Sequence, residues 1–222
     1  MKKITAILLA YYPERFADVL EIVRVLKEGS RPPDKIIIFN NNPEISFEID
    51  GVTSVQSSEN MGAGIRFALG LGIKSDYYYF IDDDMCPETD TIKNFEKYAH
   101  SKCCFSFLGK HLIEGAKYSQ TDAVWSDTVT EPIDIDIMVG AGSMFCSYEA
   151  LINMYALENR YKDIKDFDFG RNTDITLSRA NSCQLIPFSK GSGIHKFPFT
   201  NTGLCLEKNH GKKRDAITDL IF

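Results

Sequence analysis

The chain has 222 residues, 44% of them hydrophobic and 25% charged, which is ordinary for a globular protein long enough to bury a substantial core. Its 12% of aromatic residues argue against intrinsic disorder. The formal net charge of −6 provides no general basic surface for a polyanion, so nucleic-acid binding is disfavoured, whereas a small nucleotide is still allowed if a few cations or a metal hold it.

Cysteine usage and the N-terminal segment indicate a reducing compartment. The six cysteines form no Cys-x-x-Cys pair, which fits scattered reduced thiols better than a disulfide framework or a zinc site. The first apolar run is short for a signal peptide and no small-residue cleavage site follows it, so it predicts a strand. No run reaches the roughly 18 apolar residues of a membrane span. We expect a soluble, cytoplasmic protein without a transmembrane segment.

The first hundred residues alternate between strand and helix patterns. A short apolar run at residues 4–10 predicts a strand, and apolar side chains at helical spacing follow it. Residues 35–39 and 52–56 predict two further strands, a glycine-containing helix is predicted to begin near Asn60, and an aromatic strand precedes Asp82. This alternation predicts an α/β unit with a mainly parallel sheet, in which ligands bind at the carboxyl ends of the strands.

The second half of the chain is richer in short β segments. Residues 103–145 predict a smaller mixed sheet joined to the first half, and the last residues predict a basic loop followed by a short helix. No linker separates the halves. The sequence therefore predicts one domain over residues 1–222, divided into halves at 1–100 and 101–222.

Three consecutive aspartates, Asp82, Asp83 and Asp84, directly follow the aromatic strand. Adjacent carboxylates repel one another and are costly to desolvate. At a strand end they form a suitable site for Mn²⁺ or Mg²⁺, with positions left open for phosphate oxygens. The alternative is a solvated acidic turn that leads into a helix near Pro87, since helix N-termini favour carboxylates.

Together with the polar strand ends and the glycine-rich helix start before it, this acidic run resembles the Asp-x-Asp motif of the GT-A glycosyltransferases. Two groups are similar, the inverting family 2 and the retaining, exostosin-like family 64. The resemblance implies a Rossmann-like nucleotide-binding half with a mixed central sheet, and a smaller β region on the acceptor side. It also implies a metal-dependent transfer of sugar from a nucleotide-diphosphate sugar, expected to be a UDP-sugar, to a hydroxyl acceptor such as a glycan.

Several segments are similar to donor-binding positions of these enzymes. The strand end DKIIIFNNNPE resembles the exostosin-like segment near the nucleoside, ENMGAGIRF resembles the Asn-x-Gly helix start of family 2, and the basic C-terminus resembles an exostosin-like diphosphate contact. Turns, a surface arginine and a solvated basic tail are the alternatives from the residues alone. The resemblance implies donor contacts from Tyr11, Asn40, Asn41, Asn60, Arg66, Asp82, Asp83 and Arg214.

The resemblance also implies a metal site and a reacting carboxylate. Asp84 is the expected metal ligand, helped by Asp82 or by His195, which follows a predicted strand where family 2 enzymes often supply a histidine. Asp174 matches the catalytic carboxylate, acting as general base in an inverting enzyme, or as nucleophile or stabiliser in a retaining one. Thr173 stands where the pattern normally has a second acid. Alternatively, Asp174 only favours a helix N-terminus.

Two other classes of protein stay open. A nucleotidyltransferase also combines an α/β half with metal-binding aspartates, but usually carries a Gly-x-Gly-x-Arg loop after the first strand, where this chain has LLAYYPERF. A non-catalytic nucleotide- or glycan-binding module of the same fold would keep donor binding and lack the chemistry, which Thr173 in place of an acid makes worth testing. Finally, the small-residue segment at 138–151 resembles the acceptor floor of the GT-A enzymes.

Overall fold

Four neighbouring parallel strands form the first half of the central sheet. The structure is a computed structural model that describes residues 2–46, 48–139, 142–162, 172–197 and 209–222. The parallel strands are β1 (Ile4–Ala10), β2 (Lys35–Asn40), β3 (Thr53–Gln56) and β4 (Tyr77–Asp82), in the spatial order β3-β2-β1-β4. β1 and β4 are buried along nearly their whole length, as expected for strands covered on both faces. These four strands confirm the sequence prediction.

The described part of this half contains three α-helices, α1 (Phe16–Glu28), α2 (Ile65–Leu71) and α3 (Thr91–Tyr98). α1 ends before Gly29, where a Cβ atom would come within 2.8 Å of the Thr89 carbonyl oxygen. α2 begins five residues after the predicted cap, because the Asn60 carboxamide instead accepts a hydrogen bond from the Gly62 N–H at 3.0 Å in a local turn.

The described residues contain nine further strands. They are β5 (Met85–Pro87), β6 (Cys104–Ser106), β7 (Leu108–Lys110), β8 (Ala123–Trp125), β9 (Ile133–Ile135), β10 (Ile137–Met138), β11 (Ser143–Ser147), β12 (Cys183–Leu185) and β13 (Ile194–Lys196). The main sheet has the order β3-β2-β1-β4-β11-β6-β12-β9, with β11 antiparallel to both neighbours. β7, β8 and β10 form a separate three-stranded sheet, and β5 pairs with β13 in a two-stranded one. Half of the strands in the predicted smaller sheet, β6, β9 and β11, therefore extend the main sheet instead.

The second half contains α4 (Tyr148–Tyr161), α5 (Thr173–Ala180) and α6 (His210–Ile221). The Ser147 hydroxyl caps α4 by accepting the Ala150 N–H at 3.1 Å. α6 occupies the predicted basic loop, since Arg214, Ile217 and Ile221 share one buried helical face. Arg214 therefore lies within a helix and not on a loop.

Hydrophobic clusters cover both faces of the main sheet. One packs α1 and α3 against it, and the other packs α2, α4 and α5 against the opposite face. A third, smaller cluster joins α5 and α6 to Tyr118 and Ile137. The five described cysteines are free and buried, and Cys205 lies outside the described residues. No helix in the described ranges is long and apolar enough to cross a membrane.

Candidate functional site

The carboxyl ends of β1, β2 and β4 meet at one edge of the sheet. Ala10 is in register with Asn40 on one side of β1, and Leu9 is in register with Asp82 on the other. The residues that follow each strand, among them Tyr11, are therefore neighbours although distant in sequence. We call this the donor edge, after the donor contacts that the sequence resemblance implies, and it comprises Tyr11, Arg15, Asn40, Asn41, Asn60, Arg66 and residues 82–84.

Asp82 is the first of the three acidic residues and the last residue of β4. Its carboxylate pairs with the Arg66 guanidinium of α2, and its backbone N–H donates to the Gly142 carbonyl at 2.7 Å. The Asp82 side chain is 33% exposed, whereas that of Arg66 is only 6% exposed. The structure thus brings together two of the predicted donor-binding residues.

Asp83 is buried and held by protein groups. Its carboxylate accepts a hydrogen bond from Arg15 Nη1 at 2.5 Å and another from the Tyr11 N–H at 3.1 Å. Burial raises the pKa of Asp83 to about 6, against the opposing effect of Arg15. Asp83 therefore joins the start of α1 to the end of β4, and a contact to a donor stays a prediction.

Sequence analysis missed Arg15, whose side chain is only 6% exposed. Its position in the sequence could have identified it as a site residue. Pro13–Arg15 forms the turn that follows β1, at the carboxyl edge of a parallel sheet where ligands bind. The Arg15 guanidinium also lies 4.8 Å from the centre of the Tyr12 ring and 3.8 Å from Asp84. It is a fixed cation beside the acidic residues.

Asp84 has a side chain that is 26% exposed. Burial raises its pKa and so does the charge of Asp82, while Arg15 and Lys196 act in the opposite direction. Asp84 does not start a helix, because β5 begins at the next residue and pairs with β13. The acidic turn therefore leads into a strand and not into the helix considered near Pro87.

His195 lies on β13, opposite Cys86 of β5. It is exposed, and the pKa of Glu21 on α1 is lowered first by the Arg24 hydrogen bond and in smaller part by His195. Side chains alternate along a strand, and it is the next residue, Lys196, whose charge acts on Asp84. Among the described residues, no group of three His, Cys, Asp or Glu side chains is arranged to hold a metal, so His195 as a ligand stays a prediction.

The predicted nucleoside contacts are buried amides that bind other protein groups. The Asn40 carboxamide donates to Gln56 Oε1 at 2.8 Å and accepts the Asn42 N–H at 3.0 Å. The Asn41 carboxamide donates to Asn60 Oδ1 at 2.9 Å and accepts the Met61 N–H at 2.8 Å. These bonds tie the loop before α2 to the end of β2, and base or ribose contacts stay a prediction.

The predicted catalytic residue forms a second buried cluster. Asp174, in the first turn of α5, accepts two hydrogen bonds from Arg214 of α6, at 2.8 and 3.1 Å. Both side chains are at most 10% exposed. The structure thus places the predicted diphosphate contact, Arg214, against the predicted catalytic carboxylate.

A short chain segment links this cluster to the donor edge. The Met138 N–H donates to Ser178 Oγ at 2.8 Å, and Ser178 donates in turn to the Asp174 carbonyl at 2.6 Å. Gly142 accepts the hydrogen bond of Asp82, and four residues span at most about 14 Å. Met138, which contacts α5, and Gly142, which contacts β4, therefore lie within that distance of each other. Residues 140–141 of the predicted acceptor floor lie outside the described residues.

Asp82 and Asp84 fit a divalent cation. They are the partly exposed members of the acidic run, and the charge of Asp82 contributes to the raised pKa of Asp84. A dication would relieve this repulsion, and carboxylate oxygens are the ligands that Mg²⁺ and Mn²⁺ prefer, with the remaining positions left to water or phosphate.

Comparisons with known proteins bear on the fold. No family model and no curated protein matches the sequence. Among solved structures, GalNAc-T7 with UDP, GalNAc and Mn²⁺ is 8% identical and is matched over 95% of this chain and 46% of its own, with a TM-score of 0.65. S. aureus TarS is 11% identical and is matched over 88% and 37%, with a TM-score of 0.54. The chain spans less than half the length of either neighbour. Their likeness shows that it has a GT-A glycosyltransferase-like fold.

Proposed function

We propose that the protein is a metal-dependent glycosyltransferase that moves a sugar from a nucleotide-diphosphate sugar to a hydroxyl acceptor such as a glycan. The observation that carries the proposal is the acidic run at the carboxyl end of β4, beside the ends of β1 and β2, in a GT-A-like fold. The neighbour solved with UDP, GalNAc and Mn²⁺ supports a UDP-sugar and Mn²⁺ as the first donor and metal to test.

The donor edge divides into a metal-holding part and a cationic part. Asp84 and Asp82 would hold Mn²⁺ or Mg²⁺, with His195 as the third candidate ligand. The metal, when bound, supplies positive charge that stabilises the departing nucleoside diphosphate. Arg15 and Arg66 lie against the same aspartates and give the edge fixed positive charge, which favours a dianionic ligand in an otherwise acidic protein.

Asp174 is the proposed residue at the reacting sugar carbon. In an inverting reaction its carboxylate takes the proton of the acceptor hydroxyl. In a retaining reaction it stabilises the positively charged sugar or attacks it as a nucleophile. The anomeric configuration of the transferred sugar, read by NMR, distinguishes the two.

Calorimetric titration with UDP, GDP and dTDP tests the proposal, with each nucleotide added in Mn²⁺ and again in EDTA. We expect one nucleotide to bind with Mn²⁺ and none to bind measurably in EDTA. Asp84→Ala should lose this binding, because it removes a metal ligand. Asp219→Ala, an equal charge change at an exposed position of α6, should keep it. A folded protein that binds none of the nucleotides, or an Asp84→Ala variant with unchanged affinity, would contradict the proposal.

A non-catalytic binding module is the second candidate. Two observations favour it: Thr173 stands where the resemblance expects an acid, and the neighbouring Asp174 is engaged by Arg214 through two hydrogen bonds. Both candidates predict nucleotide binding, so the distinction rests on chemistry. An active transferase hydrolyses its UDP-sugar slowly without added acceptor, whereas a binding module releases no UDP.

A further inference from the structure

The Tyr118 ring lies between two cations. The Arg214 guanidinium carbon is 4.6 Å from the ring centre and Lys110 Nζ is 4.4 Å from it. Tyr118 is 7% exposed and Arg214 is 5% exposed, so the contact between them is shielded from water, whereas Lys110 is half-buried. The electron-rich face of an aromatic ring attracts cations, and more strongly where they are desolvated. The Tyr118 ring therefore makes a stabilising cation–π contact with the Arg214 guanidinium.

The ring itself belongs to a turn that is fixed at both ends. Lys110 Nζ donates to the carbonyls of Tyr118 and Thr121, at 3.0 and 2.6 Å. Between these two carbonyls, in the middle of the turn, the Asp215 carboxylate accepts the Ser119 N–H at 2.8 Å and the Ser119 hydroxyl at 2.9 Å. The turn Tyr118–Gln120 is thus bound to β7 on one side and to α6 on the other.

Arg214 has its remaining interactions with α5. Two of its nitrogens donate to Asp174, while its Nε is buried without a hydrogen-bond partner among the described residues. A buried ion pair usually stabilises a protein no more than apolar side chains of the same size would. A buried Arg214–Asp174 pair beside one aromatic ring, with one donor of Arg214 left unsatisfied, therefore points to a role beyond stability.

We propose that Tyr118 is a positioning residue, which together with Lys110 holds the Arg214 guanidinium so that Arg214 sets the orientation of the Asp174 carboxylate. The inference rests on the proposed function, in which Asp174 reacts at the sugar. It gives Arg214 a partner other than the diphosphate that the sequence resemblance implied. It also gives the small sheet of β7, β8 and β10 a part in arranging the reaction centre.

Two substitutions of the ring test the inference. Tyr118→Leu removes the aromatic face and keeps an apolar side chain, whereas Tyr118→Phe keeps the face. We expect Tyr118→Leu to lower kcat for UDP-sugar hydrolysis roughly tenfold to a hundredfold, because misplacing a reacting group has costs of that order, with the Kd for UDP unchanged. Tyr118→Phe should retain most of the rate. Tyr98→Leu, which removes another cation–π contact, that of Lys97 at 4.8 Å on α3, is the matched control and should leave both quantities unchanged.

A second readout does not require turnover. The Nε–H of Arg214, assigned by its disappearance in Arg214→Lys, should give a ¹⁵N NMR signal that exchanges slowly with water because the group is buried. Tyr118→Leu should shift this signal and speed its exchange, and Tyr98→Leu should not.

Three results would overturn the inference: an unchanged Arg214 signal in Tyr118→Leu, an unchanged kcat in that variant, or a weaker UDP affinity in proportion to the lost rate. The last result would mean that Arg214 contacts the diphosphate. A wild-type protein that binds no nucleotide contradicts the proposed function, whereas the NMR comparison still decides whether Tyr118 positions Arg214.

Discussion

At the scale of single residues, three adjacent aspartates have three different surroundings. Asp82 pairs with Arg66 and stays one-third exposed, Asp83 is buried against Arg15, and Asp84 is partly exposed near Lys196. Their backbone positions differ, because Asp82 is the last residue of β4 whereas Asp83 and Asp84 form the turn between β4 and β5. Asp83, at the centre of the run, is therefore a structural residue, whereas Asp82 and Asp84 on either side of it are accessible to a ligand.

Replacing Arg15 should show that the central aspartate is an anchor. Arg15→Met removes the cation and leaves a buried carboxylate, which we expect to lower the free energy of unfolding by about 3 to 5 kcal/mol. Arg24→Met is the control, since Arg24 pairs with Glu21 and Glu28 on the exposed surface of α1, where solvent screening leaves such pairs with little effect on stability. Urea unfolding at neutral pH measures both. Equal losses in the two variants would mean that Asp83 does not depend on Arg15.

Asp174→Asn separates binding from chemistry at the other cluster. The amide keeps the shape of the side chain and loses the negative charge, so UDP binding should stay within about threefold of wild type while turnover falls by roughly two orders of magnitude or more. Asp219→Asn, on the exposed face of α6, should affect neither. Full activity of Asp174→Asn would remove Asp174 from the mechanism.

At the scale of elements, the sequence predicts best those that depend on local pattern. The four parallel strands and α1 are confirmed. Continuous apolar runs identify β1, β2 and β4, and helical spacing identifies α1, without knowledge of their partners. The predicted start of α2 was wrong, because the Asn60 side chain accepts a hydrogen bond within the preceding turn and does not cap the helix. β6 and β9 have three residues each, and pairing with distant strands decides that they join the main sheet.

The same distinction between local pattern and distant contact applies to the residues of the candidate site. The acidic run and Asp174 stand out in the sequence, because carboxylates at element ends form a local pattern. Arg15 and Tyr118 do not, since the contact of Arg15 with Asp83 crosses 68 residues and that of Tyr118 with Arg214 joins a single turn to the C-terminal helix α6. Only the folded chain shows that each has a charged partner.

The contact between α4 and α5 should make stability depend on pH. Glu158 of α4 is buried and accepts a hydrogen bond from Thr176 of α5 at 2.9 Å. Burial raises its pKa to about 7 from an ordinary value of 4.5, although Thr176 opposes the shift. The folded protein therefore keeps a proton that the unfolded chain loses, and stability should fall as the pH rises from about 5 to 7, by roughly 3 kcal/mol at most.

Glu158→Gln tests this dependence, because a neutral amide has no proton to lose. Between pH 5 and pH 8 the variant should lose less of its free energy of unfolding than wild type does. Glu149→Gln, at an exposed position of the same helix, should keep the wild-type dependence. If Glu158→Gln and wild type change in parallel, Glu158 is ionised in the folded protein across this range.

At the scale of the whole molecule, the two clusters of the candidate site depend on different packing. The donor edge is formed by strand ends of the main sheet. Among the described residues, the two hydrophobic clusters that cover this sheet contain none from α6. The Asp174 cluster depends on the third hydrophobic cluster, in which Ile217 and Ile221 of α6 pack with Ile175 and Tyr118. Loss of α6 should therefore affect one cluster of the site and leave the other.

Weakening the packing of α6 tests this division. The double variant Ile217→Ala, Ile221→Ala removes two buried side chains, each worth roughly 2 to 5 kcal/mol to the packing of α6. We expect α6 to detach locally, with fast amide hydrogen exchange in α6 and unchanged protection in β1 and β4. Metal-dependent UDP binding should persist, and turnover should be lost because Arg214 leaves Asp174.

Ala216→Gly, Leu220→Ala serves as the control, since it weakens α6 only on its exposed side. That variant should keep both protection and turnover near wild type. A double isoleucine variant that loses UDP binding together with turnover would show that α6 supports the donor edge as well. In that case Arg214 acts at the donor edge, and the two halves of the site are one cooperative unit.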